Sequence, residues 1–394
     1  MGGGGCGKTL FMIFGDFSSE GKSGRHFLLI GGFLGAGKTT LIQQITKELE
    51  KSGRRVALIT NDQGEGLMDT VSARRASTGT GNVAEITGGC FCCRLDELVE
   101  TIARLEEETL PEILIAEPVG SCTDLIATVL QPLEKIYHSP LVLAPLSVVL
   151  DARRALAALG GRKNRRSFHR DVGYVFQKQL EEAEWLVVNK IDLLDEVDLE
   201  DLKRRLEKDL PGKKRYFVSA KTGEGVGAWL EDLLGSESRP GEMMEMDYER
   251  YAAGEAMLGW VNLEGSVMMK EGDPGEWLRS LGKEIAGMLD EKGHEVGHFK
   301  MSLDDEERRW RVHQVMGGEE IELVVEGFGA GVVEIYAGQR PVLHLLVNLR
   351  AEGDAGILQQ CVHAAFEEQS GAEVTLEKEA AFQPGKPVPT HRIA

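Results

Sequence analysis

Short apolar stretches alternate with longer amphipathic stretches between Leu28 and about Leu234. The short stretches have the length of buried strands, and the longer ones repeat apolar residues at helical spacing. The predicted strands are His26–Ile30, Arg55–Thr60, Ile113–Ala116, Leu146–Leu150, Trp185–Val188 and Tyr216–Val218. The predicted helices are Leu41–Ser52, Leu95–Glu108, Ser121–Ile136, Val175–Glu182, Leu199–Asp209 and Val226–Leu234. This alternation predicts an α/β fold, with a mostly parallel sheet and helices on both of its faces.

The pattern changes after a polar stretch, residues 236–256, which has no clear periodicity and which we interpret as a linker. Strand-like alternation dominates residues 257–394. The predicted strands there are Leu258–Val267, Glu295–Ser302, Trp310–Val315, Ile321–Glu326, Val332–Tyr336, Val342–Asn348 and one near Glu373–Leu376. Predicted helices lie near Glu276–Glu291 and at Gly356–Gln369. We therefore expect a smaller α+β domain with helices on one face of its sheet.

The chain of 394 residues, 42% of them hydrophobic, is long enough for two packed domains. We predict a flexible leader at 1–25, the α/β domain at 26–235, the linker at 236–256 and the α+β domain at 257–394. The formal charge is −19, and residues 257–394 contain 13 Lys and Arg against 24 Asp and Glu. Such an acidic chain favours cations or a basic partner surface, and we expect no nucleic-acid partner. The apolar runs are too short for a membrane span, and the first residues lack a secretory signal, so we expect a soluble, cytoplasmic protein.

The first predicted strand leads into a glycine-rich loop and then a helix. Gly32, Gly37, Lys38 and Thr39 have the G-x-x-x-x-G-K-[ST] spacing of a phosphate-binding loop. In such a loop the backbone N–H groups surround the phosphates, the lysine reaches the β- and γ-phosphates, and the hydroxyl binds Mg²⁺. The predicted nucleotide-binding residues here are Gly32, Gly35, Ala36, Gly37, Lys38, Thr39 and Thr40. The same spacing occurs at Gly2–Thr9, but no strand precedes it, so we assign that copy to the flexible leader.

A second motif, Asn-Lys-Ile-Asp, follows the predicted strand Trp185–Val188. Its Asp192 can accept two hydrogen bonds from the N1–H and the 2-amino group of guanine, and adenine lacks this pair of donors. Asn189 is expected to face O6 and N7 of the base, and the stem of Lys190 is expected to lie over the ring. The motif alone is also compatible with an ordinary helix start.

A third motif, Ser219, Ala220 and Lys221, follows the predicted strand Tyr216–Val218. A backbone N–H at this position can read the O6 atom of guanine. Because both motifs follow strands downstream of the phosphate-binding loop, together they predict GTP or GDP as the ligand.

Glu117 and Gly120 belong to the sequence Glu-Pro-Val-Gly after the predicted strand Ile113–Ala116. A carboxylate at this edge of the sheet can hold Mg²⁺ or orient the attacking water, and the glycine N–H can contact the γ-phosphate. A plain helix entry with an acidic first turn is the alternative.

A long polar stretch follows the strand Arg55–Thr60 and runs from Asn61 to Gly89. A loop of this length inside a compact domain is usually functional, and a segment that senses the γ-phosphate would lie here. Asp62 is a candidate to contact magnesium or water, or it caps the next turn. The predicted catalytic residues are therefore Lys38, Thr39, Glu117 and Asp62, with Thr39 and Glu117 as the magnesium ligands.

Three cysteines, Cys90, Cys92 and Cys93, end this stretch. Thiolates at this density suit Zn²⁺, Co²⁺ or Cu⁺, and three ligands leave a fourth position open, as in a site that must release its metal. A buried apolar cysteine cluster is the alternative. Cys122 and Cys361 are interpreted as core residues.

The sequence His294-Glu-Val-Gly-His298 matches the zinc-protease pattern H-E-x-x-H. That pattern requires one turn of helix, whereas Gly293 and Gly297 interrupt it and the alternation after Glu295 predicts a strand. We therefore expect no protease site.

These motifs together resemble the CobW/HypB/UreG group of P-loop GTPases, most closely its CobW-like metal-trafficking branch. The matching segments are Gly31–Leu41, Asn61–Gly64, Val83–Cys93, Glu117–Gly120, Asn189–Asp192 and Ser219–Gly223. The resemblance implies a P-loop NTPase domain followed by a CobW-type C-terminal domain. It also implies a GTPase that uses GTP, Mg²⁺ and Zn²⁺ or Co²⁺ to load or deliver a metal.

Two departures from the branch narrow this expectation. The branch typically has Asn-Glu-Phe-Gly where this chain has Asn-Asp-Gln-Gly at 61–64, and residues 236–256 lack the histidine-rich run of many members. A metal-storage role is therefore not expected, and the resemblance then implies a subgroup with a different client, such as a cobalamin-dependent enzyme.

Three hypotheses follow from the motifs and the resemblance. The first is a GTP-hydrolysing metallochaperone or metal-insertion factor that delivers to a client metalloenzyme. The second is a GTPase chaperone or reactivator of a cobalamin-dependent protein that carries no metal. The third is a non-catalytic metal sensor or buffer. The oligomeric state, including a homodimer, stays open at this point.

Overall fold

The computed structural model describes residues 24–61, 82–159, 169–239, 243–305, 308–314, 321–327 and 342–393. Asp62, the predicted strand Val332–Tyr336 and the leader as far as residue 23 lie outside these ranges. The described residues form one parallel sheet with its helices, followed by one antiparallel sheet with its helices.

The parallel sheet contains β1 to β8 within the described ranges, in the order β3-β2-β4-β1-β6-β7-β8, with the short β5 also paired to β1. All of these pairings are parallel. The strands are β1 His26–Gly32, β2 Val56–Asn61, β3 Val83–Ile86, β4 Ile113–Glu117, β5 Val142–Leu143, β6 Ser147–Asp151, β7 Trp185–Asn189 and β8 Lys214–Phe217.

The helices of this unit and of the stretch after it are α1 Lys38–Lys51, α2 Leu95–Thr109, α3 Gln131–Lys135, α4 Ala152–Leu159, α5 Arg170–Glu182, α6 Glu196–Asp209, α7 Val226–Leu234 and α8 Tyr248–Ala256. They cover both faces of the sheet, as β1 shows. Phe27 and Leu29 point into the core that contains α2, whereas Leu28 and Ile30 point into the core that contains α1. Because successive side chains of a strand alternate between faces, a strand covered on both sides is apolar throughout. The α/β prediction is confirmed.

The antiparallel sheet has the order β12-β11-β10-β13-β9-β14 in the part of the chain that the structure describes. Its strands are β9 Leu258–Met269, β10 Val296–Asp304, β11 Arg308–Gln314, β12 Ile321–Gly327, β13 Val342–Glu352 and β14 Ala372–Phe382. The helices α9 Pro274–Glu291 and α10 Ala355–Glu368 contribute to the same core as the sheet. The expected α+β architecture is observed, and β10 confirms that residues 296–298 are strand rather than zinc-protease helix.

The structure differs from the sequence-based interpretation between Ser121 and Ile136. A single helix was expected there, but Asp124 has a left-handed backbone (φ 64°). Only a π-helical turn, Ile126–Leu130, and the short α3 follow it. Helix α8 was also missed, because its sequence, YERYAAGEA, lacks a clear apolar stripe.

The two sheets are joined by buried contacts. Tyr251, Leu258 and Trp260 belong to the same hydrophobic cluster as β1 and α2. The Tyr251 hydroxyl donates a hydrogen bond to the Ser121 carbonyl at 3.2 Å. No helix in the described residues combines the length and apolar character needed to cross a membrane.

Candidate functional site

The phosphate-binding loop lies between β1 and α1, as predicted. Gly37 caps α1 with a left-handed backbone (φ 89°), a conformation that favours glycine. The buried Lys38 donates a hydrogen bond from Nζ to the Gly32 carbonyl at 2.8 Å. The lysine therefore lies folded across its own loop, where it can reach phosphate oxygens.

A pair of oxygen donors lies at the start of α1. The hydroxyl of Thr39 donates to Oε1 of Glu117 at 2.9 Å, and Glu117, the last residue of β4, is buried. A hydroxyl and a carboxylate at this distance fit Mg²⁺, which prefers oxygen ligands.

Asn189 connects three loops at the opposite end of the site. Its amide nitrogen donates to the Ala36 carbonyl at 3.0 Å, and its amide oxygen accepts the N–H of Ala220 at 2.9 Å. The amide oxygen is thus used within the protein. The observed contacts position the phosphate-binding loop and the loop of Ala220 around Asn189. The expected contact of Asn189 with O6 and N7 of the base stays a prediction.

Lys190 crosses from β7 to the phosphate-binding loop. Its ammonium group donates to the Gly35 carbonyl at 2.7 Å and forms an ion pair with Asp151 at 2.7 Å. The stem of Lys190 therefore spans the cleft where the sequence places a guanine ring. The hydroxyl of Ser219 accepts the N–H of Thr222 at 3.1 Å and shapes the third motif.

A cavity of about 480 Å³ joins these elements. The predicted site residues that line it are Gly35, Gly37, Lys38, Thr39, Thr40, Glu117, Gly120, Asn189, Lys190, Asp192, Ala220 and Lys221. Gly32, Ala36 and Ser219 are not among its lining residues. The carbonyls of Gly32 and Ala36 accept hydrogen bonds from Lys38 and Asn189, which do line it, whereas Ser219 bonds to Thr222, which does not. Asp62 lies outside the described residues.

The antiparallel sheet supplies a second wall of this cavity, which sequence reasoning missed. We call His298, Lys300, Arg311, His313 and Arg350 the cationic face, and all five line the cavity together with the phosphate-binding loop. Their separation along the chain and the acidic composition of residues 257–394 concealed them. Only the strand alternation, which places positions 298 and 300, and 311 and 313, on one side of each strand, could have indicated them.

Cys90, Cys92 and Cys93 come together in a turn between β3 and α2. The sulfur of Cys90 lies 2.8 Å from that of Cys92 and 3.1 Å from that of Cys93, and the third distance is 3.7 Å. The cysteines are free thiols. This is the one group of at least three metal-ligating side chains found in the described part of the chain.

The thiols share their protons unequally. The pKa of Cys90 is well below its usual value because hydrogen bonds from Cys122, then Cys92 and Cys93, favour its thiolate. The pKa of Cys93 is raised to about 11, chiefly by its hydrogen bond to Cys90. The cluster therefore holds one stabilised thiolate among thiol donors.

Cys122, interpreted from the sequence as a core residue, is a neighbour of this cluster. It is buried, and its thiol is the largest cause that lowers the pKa of Cys90. Its N–H donates to the Val119 carbonyl at 2.9 Å, within the loop that begins with Glu117. The only indication in the sequence that Cys122 lies near the site was its position five residues after Glu117.

Asn61, the last residue of β2, holds the cysteine turn. Its amide nitrogen donates to the carbonyls of Gly89 at 2.7 Å and Ile86 at 3.0 Å, and its oxygen accepts the Phe91 N–H at 3.0 Å. Asn61 also lines the nucleotide cavity. A single side chain therefore touches both sites.

Residues 383–393, which we call the capping segment, run over the cysteine turn. Thr390 donates its N–H to the Cys92 carbonyl at 2.8 Å and its hydroxyl to the Cys93 carbonyl at 3.3 Å. Arg392 forms an ion pair with the buried Asp124 at 2.7 Å. The capping segment, which follows the last strand of the second sheet, therefore lies over the cysteine cluster.

Comparison with known proteins identifies relatives of the parallel-sheet unit. The nucleotide-binding domain of CobW/HypB/UreG proteins matches residues 26–217. The zinc chaperone CobW of a Sinorhizobium species is 29% identical over 232 residues, which cover 53% of this chain and 63% of that relative. The match to the zinc chaperone CobW of Pseudomonas aeruginosa covers 56% of that protein. The chain therefore matches less than two thirds of the length of these relatives.

The urease accessory protein UreG of Metallosphaera sedula is 30% identical over 230 residues, which cover 52% of this chain and 93% of that protein. Among solved structures, the Zn(II)-bound YjiA GTPase from Escherichia coli has a TM-score of 0.37 and 17% identity, over 87% of this chain and 98% of that one. From the domain match and the coverage of UreG, we conclude that the chain belongs to the CobW/HypB/UreG family.

Proposed function

We propose that this protein hydrolyses GTP and that nucleotide state controls a transition-metal ion carried by Cys90, Cys92 and Cys93 to a client metalloenzyme. The observation that supports this most directly is that the three sulfur atoms lie within 4.8 Å of one another. They lie on a turn fixed by Asn61, a residue of the nucleotide cavity.

At the phosphate end, Lys38 binds the β- and γ-phosphates, and the N–H of Gly120 lies at the γ-phosphate. Thr39 and Glu117 hold Mg²⁺, which neutralises charge on the phosphate oxygens when bound. At the other end, Asp192 selects guanine and Lys190 covers the ring. Ala220 is held against Asn189 and places its loop beside the base. Asp62 remains a candidate for orienting the attacking water.

The metal is cargo in this proposal. Zn²⁺ and Co²⁺ suit thiolate donors, and the relatives named zinc chaperones favour Zn²⁺ for this chain. Binding releases protons from the cluster because only deprotonated sulfur ligates the ion.

Two loops connect the sites. Asn61 links the nucleotide cavity to the cysteine turn, and the loop of Glu117 and Gly120 continues to Cys122, whose thiol lowers the pKa of Cys90. A nucleotide that shifts either loop changes the sulfur positions, so metal affinity depends on nucleotide state. By thermodynamic reciprocity, bound metal then changes nucleotide affinity by the same factor.

The test uses anaerobically purified full-length protein in apo, GDP and GTP-analogue forms. We expect the Zn²⁺ dissociation constant, measured by chelator competition, to differ by about tenfold or more between the GDP and analogue forms. Identical constants in all three forms would refute the coupling. Lys38→Ala should abolish multiple-turnover GTP hydrolysis, and hydrolysis that persists in this variant would contradict the assigned site.

A triple Cys→Ser variant at 90, 92 and 93 separates metal delivery from a metal-free chaperone role. It should lose Zn²⁺ binding and client activation together, whereas Cys361→Ser, in the core of the second sheet, should retain both. Client activation that survives in the triple variant would favour the reactivator hypothesis.

A further inference from the structure

The cationic face is formed by neighbouring residues of three strands. Lys300 of β10 is paired with His313 of β11, and His298 of β10 is paired with Arg350 of β13. Arg311 lies two positions from His313, on the same side of β11. The opposite side of β10 and β11 carries Met301, Leu303 and Val312, which pack in the core with α9 and α10. The strands β10 and β11 are therefore two-sided, with apolar residues toward the helices and the residues of the cationic face toward the nucleotide cavity.

The charge of the cationic face is opposite in sign to the net charge of residues 257–394, to which it belongs. Residues 257–394 contain 24 Asp and Glu against 13 Lys and Arg. None of the lining residues that the structure describes in this unit is acidic, whereas the five residues of the cationic face are all lysine, arginine or histidine. A concentration of cations in an otherwise acidic unit is expected where an anion binds.

Backbone contacts place the cationic face at the phosphate end of the cavity. A Cβ on Gly35 would lie 2.7 Å from the Gly297 carbonyl oxygen, so β10 begins against the phosphate-binding loop. A Cβ on Gly297 would lie 3.2 Å from Cδ1 of Leu34, and one on Gly120 would lie 3.1 Å from the Leu34 backbone. His298 and Lys300 follow this contact directly, and the rise of a strand is about 3.3 Å per residue.

The five residues are held to different degrees. Arg350 is buried, donates to Oδ1 of Asn262 at 2.7 Å and stacks 4.0 Å from the centre of the Trp260 ring. Lys300 and Arg311 are half-buried, with long stems that can extend into the cavity. Arg350 is therefore a positive charge held in a fixed position, whereas Lys300 and Arg311 can contact a bound anion directly.

We propose that the cationic face binds the phosphates of the nucleotide, with Lys300 and Arg311 contacting phosphate oxygens directly. The antiparallel sheet is then part of the nucleotide site. This inference rests on the proposed GTP binding and adds to it a role for the second sheet.

The test compares Lys300→Gln and Arg311→Gln with Arg308→Gln in the full chain. Arg308 lies on β11, the strand of Arg311, and forms an ion pair with Asp305. It is not among the residues that line the cavity. Dissociation constants for GMP, GDP and a non-hydrolysable GTP analogue are measured at several salt concentrations, with thermal unfolding of the apo proteins as the folding control.

We expect Lys300→Gln and Arg311→Gln to weaken analogue binding by about tenfold, GDP less and GMP least. Both should reduce the salt dependence of analogue binding, and Arg308→Gln should match the wild type. Equal losses for all three nucleotides, or unchanged binding in properly folded variants, would overturn the inference. Wild-type protein that fails to bind any guanine nucleotide would overturn the proposed function instead.

Discussion

The backbone N–H of Val388 lies 3.3 Å from the sulfur of Cys93, although 295 positions separate the two residues in the chain. The capping segment thus contacts the cysteine cluster itself, and Thr390 and Arg392 hold the segment on either side of His391. Because Cys93 is the half-buried member of the cluster, we expect the segment to limit its access to reagents and metal chelators.

Weakening the anchor of the capping segment should therefore expose the cluster. Arg392→Ala removes the ion pair with Asp124, and we expect Cys93 to react several-fold faster with a thiol reagent in the metal-free protein. Arg279→Ala, on an exposed salt bridge of α9, is the matched control. The alkylation rate is measured by mass spectrometry of the peptide that contains Cys93. Equal rates for the two variants would show that the capping segment does not limit access to Cys93.

Cys122 gives a prediction about the number of sulfur ligands. Its buried thiol lowers the pKa of Cys90 and is therefore a fourth thiol near the cluster, and Zn²⁺ and Co²⁺ favour four ligands in tetrahedral sites. We expect Cys122→Ala to weaken Co²⁺ binding by about tenfold and to reduce the sulfur-to-cobalt charge-transfer absorption per bound ion by about a quarter. An unchanged spectrum at full occupancy would mean that Cys122 is a packing residue, as the sequence suggested.

Most strands of the parallel sheet and the phosphate-binding loop could be predicted because they depend on local pattern. The strand β3, Val83–Ile86, was missed because it lies inside the stretch that was interpreted as a loop, and the two-residue β5 was missed as well. An apolar run such as 26–30 is a buried strand in almost any α/β context, and the spacing from Gly32 to Thr39 carries its own chemistry. The structure extends β1 by only two residues, to Gly32. The cysteine cluster was predictable for the same reason, since its three thiols lie within four positions.

What the sequence did not reveal depends on contacts between distant residues. Helix α8 has a weak apolar pattern and is stabilised by tertiary contacts, such as that of Tyr251 with Ser121. The cationic face is assembled from three strands, with 52 positions between His298 and Arg350, and the net charge of the unit hides it. The π-helical turn after Asp124 depends on a backbone conformation that residue patterns do not encode.

Asn61 provides the test of communication between the sites. Asn61→Ala removes its three hydrogen bonds to the cysteine turn and leaves polar backbone groups of that turn without their partner, a cost of about 1–3 kcal/mol each in stability. We expect GTP-analogue binding to change by less than about threefold, while the difference in Zn²⁺ affinity between nucleotide states is lost.

The control for this variant is Gln359→Ala, which removes a side-chain hydrogen bond from α10 to Glu379, at neither the cavity nor the cysteine turn. Nucleotide-dependent Zn²⁺ affinity should persist in that protein. If Asn61→Ala kept the full difference between GDP and analogue forms, the coupling would have to run through the loop of Glu117 and Cys122 alone.

Glu182 makes the stability of the parallel-sheet unit depend on pH. Burial raises the pKa of this carboxyl to about 8, from an ordinary value of 4.5, with a further contribution from the nearby Asp124. Its oxygens accept hydrogen bonds from the Thr123 hydroxyl and the Leu125 N–H, which partly oppose the shift. Lys213, whose ammonium group donates to the Ala183 carbonyl, is the nearby cation.

The sign of the effect follows from proton binding. Between about pH 4.5 and 8 the folded protein keeps a proton on Glu182 that the unfolded chain has lost, so the free energy of unfolding falls as pH rises through this window, by up to about 1.4 kcal/mol per pH unit. Below this window the contribution is fully present. Glu182→Gln should flatten that slope in urea unfolding at pH 5, 6.5 and 8, whereas Glu181→Gln, on the exposed side of α5, serves as the control. A glutamine at position 182 has no proton to release. If the free energy of unfolding depended on pH equally in the wild type and in Glu182→Gln, the pKa of this carboxyl would be the same in the folded and unfolded protein.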